Sequence, residues 1–190
     1  MSIRVRTAWA AGVTVLASIG IALMLTTPAS AAAQHGDTGR QALTSYNLTY
    51  VPAGSTARVR WIYTDAASGK SIVVLQVRGL VPNREYGAHA HQFACGATDA
   101  TVAGAHFQYV VDPVQPSLDP AYANSANEIW LDFTTDDQGN GNARSVVNWQ
   151  FPNAGGARAQ SVVIHDHHTD THAGSAGTAG PRYGCLTVAF

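Results

Sequence analysis

Two histidines two residues apart, His89 and His91, lie in the stretch Gly87-Ala88-His89-Ala90-His91-Gln92-Phe93-Ala94-Cys95. The stretch reads as a β-strand. Side chains alternate between the faces of a strand, so the two imidazoles point the same way. Two imidazoles on one face chelate a borderline metal such as copper or zinc. Taken alone, such a pair is more often exposed or packed than ligating. Its company changes the reading. His106 lies fifteen residues beyond His91, His165 ends a later apolar run, and Cys95 has one possible partner, Cys185.

The elements that must position these residues begin after the first thirty or so. Arg4 and Arg6 form a positive n-region, an apolar run spans 13–25, and Pro28-Ala29-Ser30-Ala31 ends in a small-x-small pattern. That is the form of a secretory signal peptide over residues 1–31, with cleavage after Ala31 or Ala33. The run is short for a membrane span of roughly 20 residues, so an uncleaved anchor is the minor alternative. Beyond residue 31 the chain carries nine basic and twelve acidic side chains, a net charge of −3 with histidines neutral. No basic patch suggests nucleic acid, and no amphipathic helix suggests a membrane surface once the leader is gone. The length that remains suits one domain. Two cysteines in an exported chain suggest one disulfide.

Residues 32–44 are small and polar and are expected to form a disordered lead-in, with His35 solvated. The domain then runs over 45–190 as short strands separated by turn signals, at 45–51, 57–63, 71–77, 86–92, 128–134, 145–150, 161–166 and 186–190. The clearest is 57–63, where Val59, Trp61 and Tyr63 share one face and Arg58 and Arg60 the other. That pattern marks a half-buried antiparallel strand. No helical period of useful length is present. About eight short antiparallel strands without helices imply an all-β Greek-key sandwich or barrel. Two irregular segments, 94–127 and 167–181, are long enough to expect functional loops. Each follows closely on a histidine singled out above.

Four features in order carry a family resemblance: His89-Ala90-His91 with Cys95; Gly104-Ala105-His106-Phe107; Val162-Val163-Ile164-His165-Asp166; and Gly180-Pro181-Arg182-Tyr183-Gly184-Cys185. Together they resemble the copper,zinc superoxide dismutase family over roughly residues 45–190. The resemblance implies the Greek-key sandwich and the conversion of superoxide to dioxygen and hydrogen peroxide. It implies His89, His91 and His165 as copper ligands and His106 as the histidine bridging copper and zinc. Cys95 and Cys185 match the family's disulfide, and Arg182 matches the arginine that guides superoxide to copper.

The rest of the zinc site does not match. No histidine occurs between His106 and His165, and the family's further ligand positions fall at Ala126 and Ile129. Glu128 is one residue out of register, and Asp112 lies in the loop. A structural zinc wants four protein ligands. The chain therefore resembles a copper-only branch, with copper expected and zinc not. Copper changes charge by one electron and zinc does not, and His106 is the group expected to deliver a proton.

His167, His168 and His172 are expected as solvent-facing loop residues, with an accessory metal-loading site as the alternative for such a His-rich tract. Asp170 is expected to orient a ligand imidazole, as carboxylates around metals do. A copper buffer or carrier on the same scaffold competes with the dismutase reading. Arg182 discriminates, because a buffer needs no anion guide. Oligomeric state leaves no mark on the sequence.

Overall fold

The computed structural model describes residue 1 and residues 33–64, 68–153 and 155–190. The expected leader, apart from Met1, lies outside them. Among the described residues no helix is long and apolar enough to cross a membrane. The strands are β1 (Gln34–Asp37), β2 (Gln41–Ala42), β3 (Thr44–Ser45), β4 (Thr56–Tyr63), β5 (Ser71–Arg78), β6 (Glu85–Tyr86), β7 (Ala88–His91), β8 (Phe133–Thr134), β9 (Gly141–Val147), β10 (Ser161–His165) and β11 (Arg182–Thr187). All pairings are antiparallel.

Alternation builds the first sheet. In β4, Ala57, Val59 and Tyr63 are buried while Arg60 and Ile62 face solvent, and β5 buries every second residue from Ser71 to Val77. β4 pairs with β5 and β5 with β9, in continuous register from Tyr63↔Ser71↔Val147. β1 and β2 both add to β4, giving a five-stranded sheet. The second sheet has the order β3-β11-β10-β7, and β6 pairs with β8 separately. Neighbours that are not consecutive in the chain require crossovers, and the architecture is a Greek-key β-sandwich of the expected all-β class. Val59, Val73, Leu75, Ile129, Leu131 and Ile164 are among the fully buried side chains between the layers.

The second sheet departs from simple alternation. Every residue of β7 and β10 is buried. One face, with Ala88, Ala90, Val162 and Ile164, joins the core. The other carries His89, His91 and Val163, and is roofed by the two long loops. A strand covered on both faces loses its polar alternation. That is why the ligand strand reads so plainly as apolar between its histidines.

Four expectations need correction. The segment expected as a disordered lead-in carries β1 and β2 and the start of β3, each held by backbone ladders to β4 or β11. His35, within β1, is exposed as expected. The strand expected over 45–51 stops at Ser45, because Asn47 takes over the backbone: its carbonyl accepts from the N–H groups of Tyr50 and Val51 and its side chain from Thr49 N. Asparagine favours such turns over a ladder. The strand expected over 128–134 is regular only at β8, and the last strand begins at Arg182 rather than near residue 186.

Candidate metal centre

Register brings three of the four histidines together. β7 lies beside β10 with His89 opposite Val163 and His91 opposite Ser161, while His165 N donates to Gly87 O. His89, His91 and His165 therefore share one face of two adjacent strands. Gly87 lets the chains approach: a Cβ there would lie 2.4 Å from His167 O and 2.7 Å from Ala179 Cβ.

The fourth histidine arrives on the free edge of β7. Ala90 N donates to Ile129 O, and Ala90 O accepts from Phe107 N. Two loop segments thus finish the edge in turn, pairing His89 with Trp130 and His91 with His106. The His89 and His106 rings are 4.0 Å apart between centroids, His91 and His106 4.8 Å, and His91 and His165 5.4 Å. One ligand atom from each of the four lies within 4.8 Å of all the others.

Each ring is held through the nitrogen that faces away from the centre. His91 Nδ1 donates to Gly104 O at 3.0 Å, and His165 Nδ1 to Gly180 O at 3.2 Å. His106 Nδ1 donates to Glu128 Oε2 at 2.8 Å. His89 Nε2 lies 2.6 Å from Thr169 Oγ1, whose own hydroxyl hydrogen goes to Asp132 Oδ1 at 2.8 Å. Thr169 Oγ1 therefore accepts, and His89 carries its proton on Nε2. A neutral imidazole that donates through one nitrogen offers a lone pair on the other. Four lone pairs then converge. His89 Nδ1 is buried without a partner. His91 Nε2 and His165 Nε2 face each other at 3.2 Å.

Two facing lone pairs repel unless a cation relieves them. Burial, and next the neighbouring His106, push the proton affinity of His89 and His91 well below the ordinary histidine value and that of His165 down to about 3. Desolvation penalises the charged imidazolium. A proton is thus a poor occupant near neutral pH, and the donor set fits a metal ion that prefers imidazole nitrogen.

Glu128 occupies the side of His106 remote from this centre. It is buried, and it accepts from His106 Nδ1, from Gln108 Nε2 at 2.8 Å and from Trp130 Nε1 at 2.7 Å. Asp112 lies elsewhere: its carboxylate accepts from Val114 N and Ser117 Oγ and shapes that turn. Asp170 does not orient a ligand imidazole. It accepts from His172 N and Nδ1 and from Ser175 Oγ, which pull its carboxyl down to about 2. The orienting role falls to its neighbour Thr169 with Asp132. The remaining histidines of the tract do not converge. His167 Nδ1 lies against His168 O, His168 Nε2 against Phe133 O, and His172 is 87 % exposed in its side chain beside Asp170.

Arg182 opens β11 opposite His165, where a bulge between Ile164 and His165 shifts the register. Its guanidinium donates to Ala100 O at 2.9 Å and to Gly104 O at 2.8 Å. Gly104 is the shared hub, since its carbonyl also receives His91 Nδ1. It sits at φ +72°, and a Cβ would meet the Phe93 ring at 2.6 Å. Only glycine meets both demands. Cys95 and Cys185 form a disulfide with Cα atoms 5.8 Å apart, tying the loop that carries these carbonyls to β11. On the other side, Arg84 stacks over the Tyr50 ring at 4.1 Å and pairs with the Asp166 carboxylate, fixing the chain just after His165.

A cavity of about 410 Å³ opens on the centre, with His106, His165, Arg182, Leu118 and Thr178 among its walls. Both long loops line it, as their length led one to expect. Trp130, Glu128 and Asp132 were legible as a group: they alternate with buried Ile129, Leu131 and Phe133, so they share the face that His89 meets. Thr169 had no such signal.

Fold and site define a β-sandwich whose four clustered imidazoles can hold a metal. The family model for copper/zinc superoxide dismutase matches residues 56–188, and the chain belongs to that family. No curated protein matches the chain. Among solved structures, it is similar to two histidine-substituted mutants of a superoxide-dismutase-like protein from Bacillus subtilis. The double mutant is 16 % identical, with TM-score 0.50 over 69 % of this chain and 87 % of that one. The single mutant is 15 % identical, with TM-score 0.52 over 68 % and 86 %. The clock protein EA4 is similar at 19 % identity, with TM-score 0.51 over 71 % and 87 %. At these identities the likeness is one of fold.

Proposed function

We propose that the chain is an exported, copper-dependent superoxide dismutase that works with one metal ion and no zinc. The observation that carries the reading is the set of four converging lone pairs on His89, His91, His106 and His165, beside a cavity that Arg182 lines. These four residues would hold copper. Copper supplies one-electron cycling between its two common oxidation states, so that one superoxide is oxidised to dioxygen and a second is reduced, with two protons, to hydrogen peroxide.

The chain's own residues do the rest. Arg182 attracts the anion; two of its five N–H donors are spent on Ala100 O and Gly104 O, and the others remain for superoxide. His106 Nε2 can take up a proton and pass it to a reduced species in the cavity, while the Glu128 carboxylate against Nδ1 offsets the charge of the imidazolium. Glu128 also accounts for a single metal. It takes the nitrogen through which His106 would reach a second ion, and its oxygens are committed to Gln108 and Trp130. Asp112 is committed to its own turn, so among the described residues no four-residue zinc set is at hand.

Metal analysis and a dismutation assay on the same purified sample test this. Copper near one equivalent with turnover above free copper is the expected result. Stoichiometric zinc would refute the single-metal reading, and copper without turnover would leave a copper buffer. Export rests on the leader over residues 1–31 and accords with the disulfide. Protein recovered outside the cell should begin within a few residues of Ala32; Met1 retained in a membrane fraction would overturn export.

A further inference from the structure

The outer face of the five-stranded sheet is unlike the rest of the surface. Pairing aligns its outward residues in rows across β4, β5 and β9: Ile62, Ile72 and Val146; then Arg60, Val74 and Arg144; then Arg58, Gln76 and Asn142; then Thr56 and Arg78. Arg40 joins at the end of the last row, its guanidinium 3.4 Å from Thr56 Oγ1. Five of the nine basic residues beyond the leader thus gather on one face, although they are spread over a hundred positions of sequence. Arg58 pairs with Asp37, and Asp136 lines the groove beside Arg40 and Arg78. Among the described residues no carboxylate forms an ion pair with Arg40, Arg60, Arg78 or Arg144. The arginines feel one another: after burial, Arg78 and Arg58 are what lower the proton affinity of Arg40. The two long loops that roof the second sheet, 94–127 and 167–181, carry Asp99, Asp112, Asp119 and Asp170 and no lysine or arginine.

We infer that this face docks on an anionic lipid surface. Charge complementarity selects an anionic partner, and the aliphatic row selects among anions. Ile62 and Val146 are 44 % and 42 % exposed, beside the exposed Arg60 and Arg144 of the adjoining row, and Ile62, Ile72 and Val74 wall a groove of about 470 Å³ that His35 and Asp37 close on the β1 side. A soluble polyanion would use the arginines and leave this row in water. A bilayer interface takes both, apolar side chains at the headgroup boundary and arginines on the phosphates. A second copy could offer its acidic loops, but that contact joins unlike faces and gives a ring or an open chain rather than a two-fold dimer. The expectation of no membrane surface rested on the lack of an amphipathic helix; here the pleat of a sheet does the segregation. Docked this way, the metal cavity lies on the pole away from the lipid.

The inference does not rest on the metal chemistry, and its test does not read it. Protein recovered after export is sedimented with vesicles of phosphatidylcholine alone and of phosphatidylcholine mixed with phosphatidylglycerol. Binding is expected only to the mixed vesicles, and to weaken with salt. Each arginine near an anionic surface is worth about fivefold in partitioning, so Arg60→Gln with Arg144→Gln should lower it about 25-fold. Ile62→Ser with Val146→Ser should lower vesicle binding while leaving retention on inorganic polyphosphate unchanged. These side chains are exposed, and every variant shares the wild-type N-terminus, so any contribution from that segment cancels. Three results would each overturn the inference: no binding to mixed vesicles; vesicle binding that the serine pair does not change, which identifies a soluble polyanion; or lipid-free assembly abolished by the glutamine pair, which identifies a second copy.

Discussion

Replacing Thr169 with valine is the most direct test of how the centre is tuned. The two side chains have nearly the same shape, so the change removes one oxygen and little else. In the wild type that oxygen accepts from His89 Nε2 at 2.6 Å and donates to Asp132 Oδ1 at 2.8 Å. The valine variant leaves a fully buried imidazole N–H without an acceptor, since Asp132 Oδ1 is 3.7 Å from His89 Nε2. An orphaned buried donor costs about 1–3 kcal/mol. The ring can escape that cost by moving its proton to Nδ1, the very atom aimed at the other three histidines. Metal binding then has to displace the proton again. Loss of an outer partner of this kind lowers metal affinity about 10–100-fold. Copper affinity measured by competition against a chelator should fall by that amount in Thr169→Val, with a changed paramagnetic resonance spectrum and an unchanged fold. Asp132→Asn should behave alike, because its amide cannot accept both from Thr169 Oγ1 and from Thr169 N, which bonds Oδ2 at 2.8 Å. Wild-type affinity in Thr169→Val, within about threefold, would refute the assignment of the His89 tautomer.

Arg182→Ala should keep its metal but lower the second-order rate with superoxide roughly 10-fold or more and flatten its dependence on ionic strength; an unchanged rate and salt profile would reject the steering role. Cys185→Ser opens a covalent loop spanning 90 positions, which the chain-entropy model values at roughly 4–5 kcal/mol as an upper figure; denaturant titration should show a large fall in midpoint, and a loss below about 1 kcal/mol would show the loop to be held by packing instead. Acid should destabilise the metal-free protein. His165 is held down at about 3 in the fold against an ordinary 6.5, so between those values the unfolded chain binds the extra proton and stability falls as pH falls. From pH 7 to 5.5 that is about 1 kcal/mol from His165, and His89 and His91 act in the same direction; a midpoint independent of pH over this interval would show that the imidazoles are not buried neutral.

What the sequence showed and hid follows from the range of the interactions involved. His89 and His91 were legible as a pair because strand period is local, and Val59, Trp61 and Tyr63 declared the inward face of β4 in the same way. The lead-in was misread because β1 and β2 have little apolar content of their own. They are ordered by ladders to β4, a partner some twenty residues away, and by the Asp37–Arg58 ion pair, neither of which composition registers. Asp170 was expected on chemical type, since a carboxylate is a common partner of a ligand imidazole. The fold instead delivers the carboxylate through a hydroxyl, from Asp132, thirty-seven positions upstream. The basic face was hidden for the same reason. Arg58 and Arg60 are two apart, but Arg40, Arg78 and Arg144 join them only through the register of β2, β5 and β9. A window along the chain sees isolated arginines among neutral residues, whereas the sheet sums their charge at strand spacing. Net charge therefore describes this molecule poorly. The chain is mildly acidic as a whole, yet the structure gathers five arginines on one sheet face. In the proposed dismutation, superoxide approaches a chain whose net charge is negative. The half-buried Arg182 guanidinium, pinned by Ala100 O and Gly104 O on a loop that the Cys95–Cys185 disulfide holds, is the local charge available to offset it.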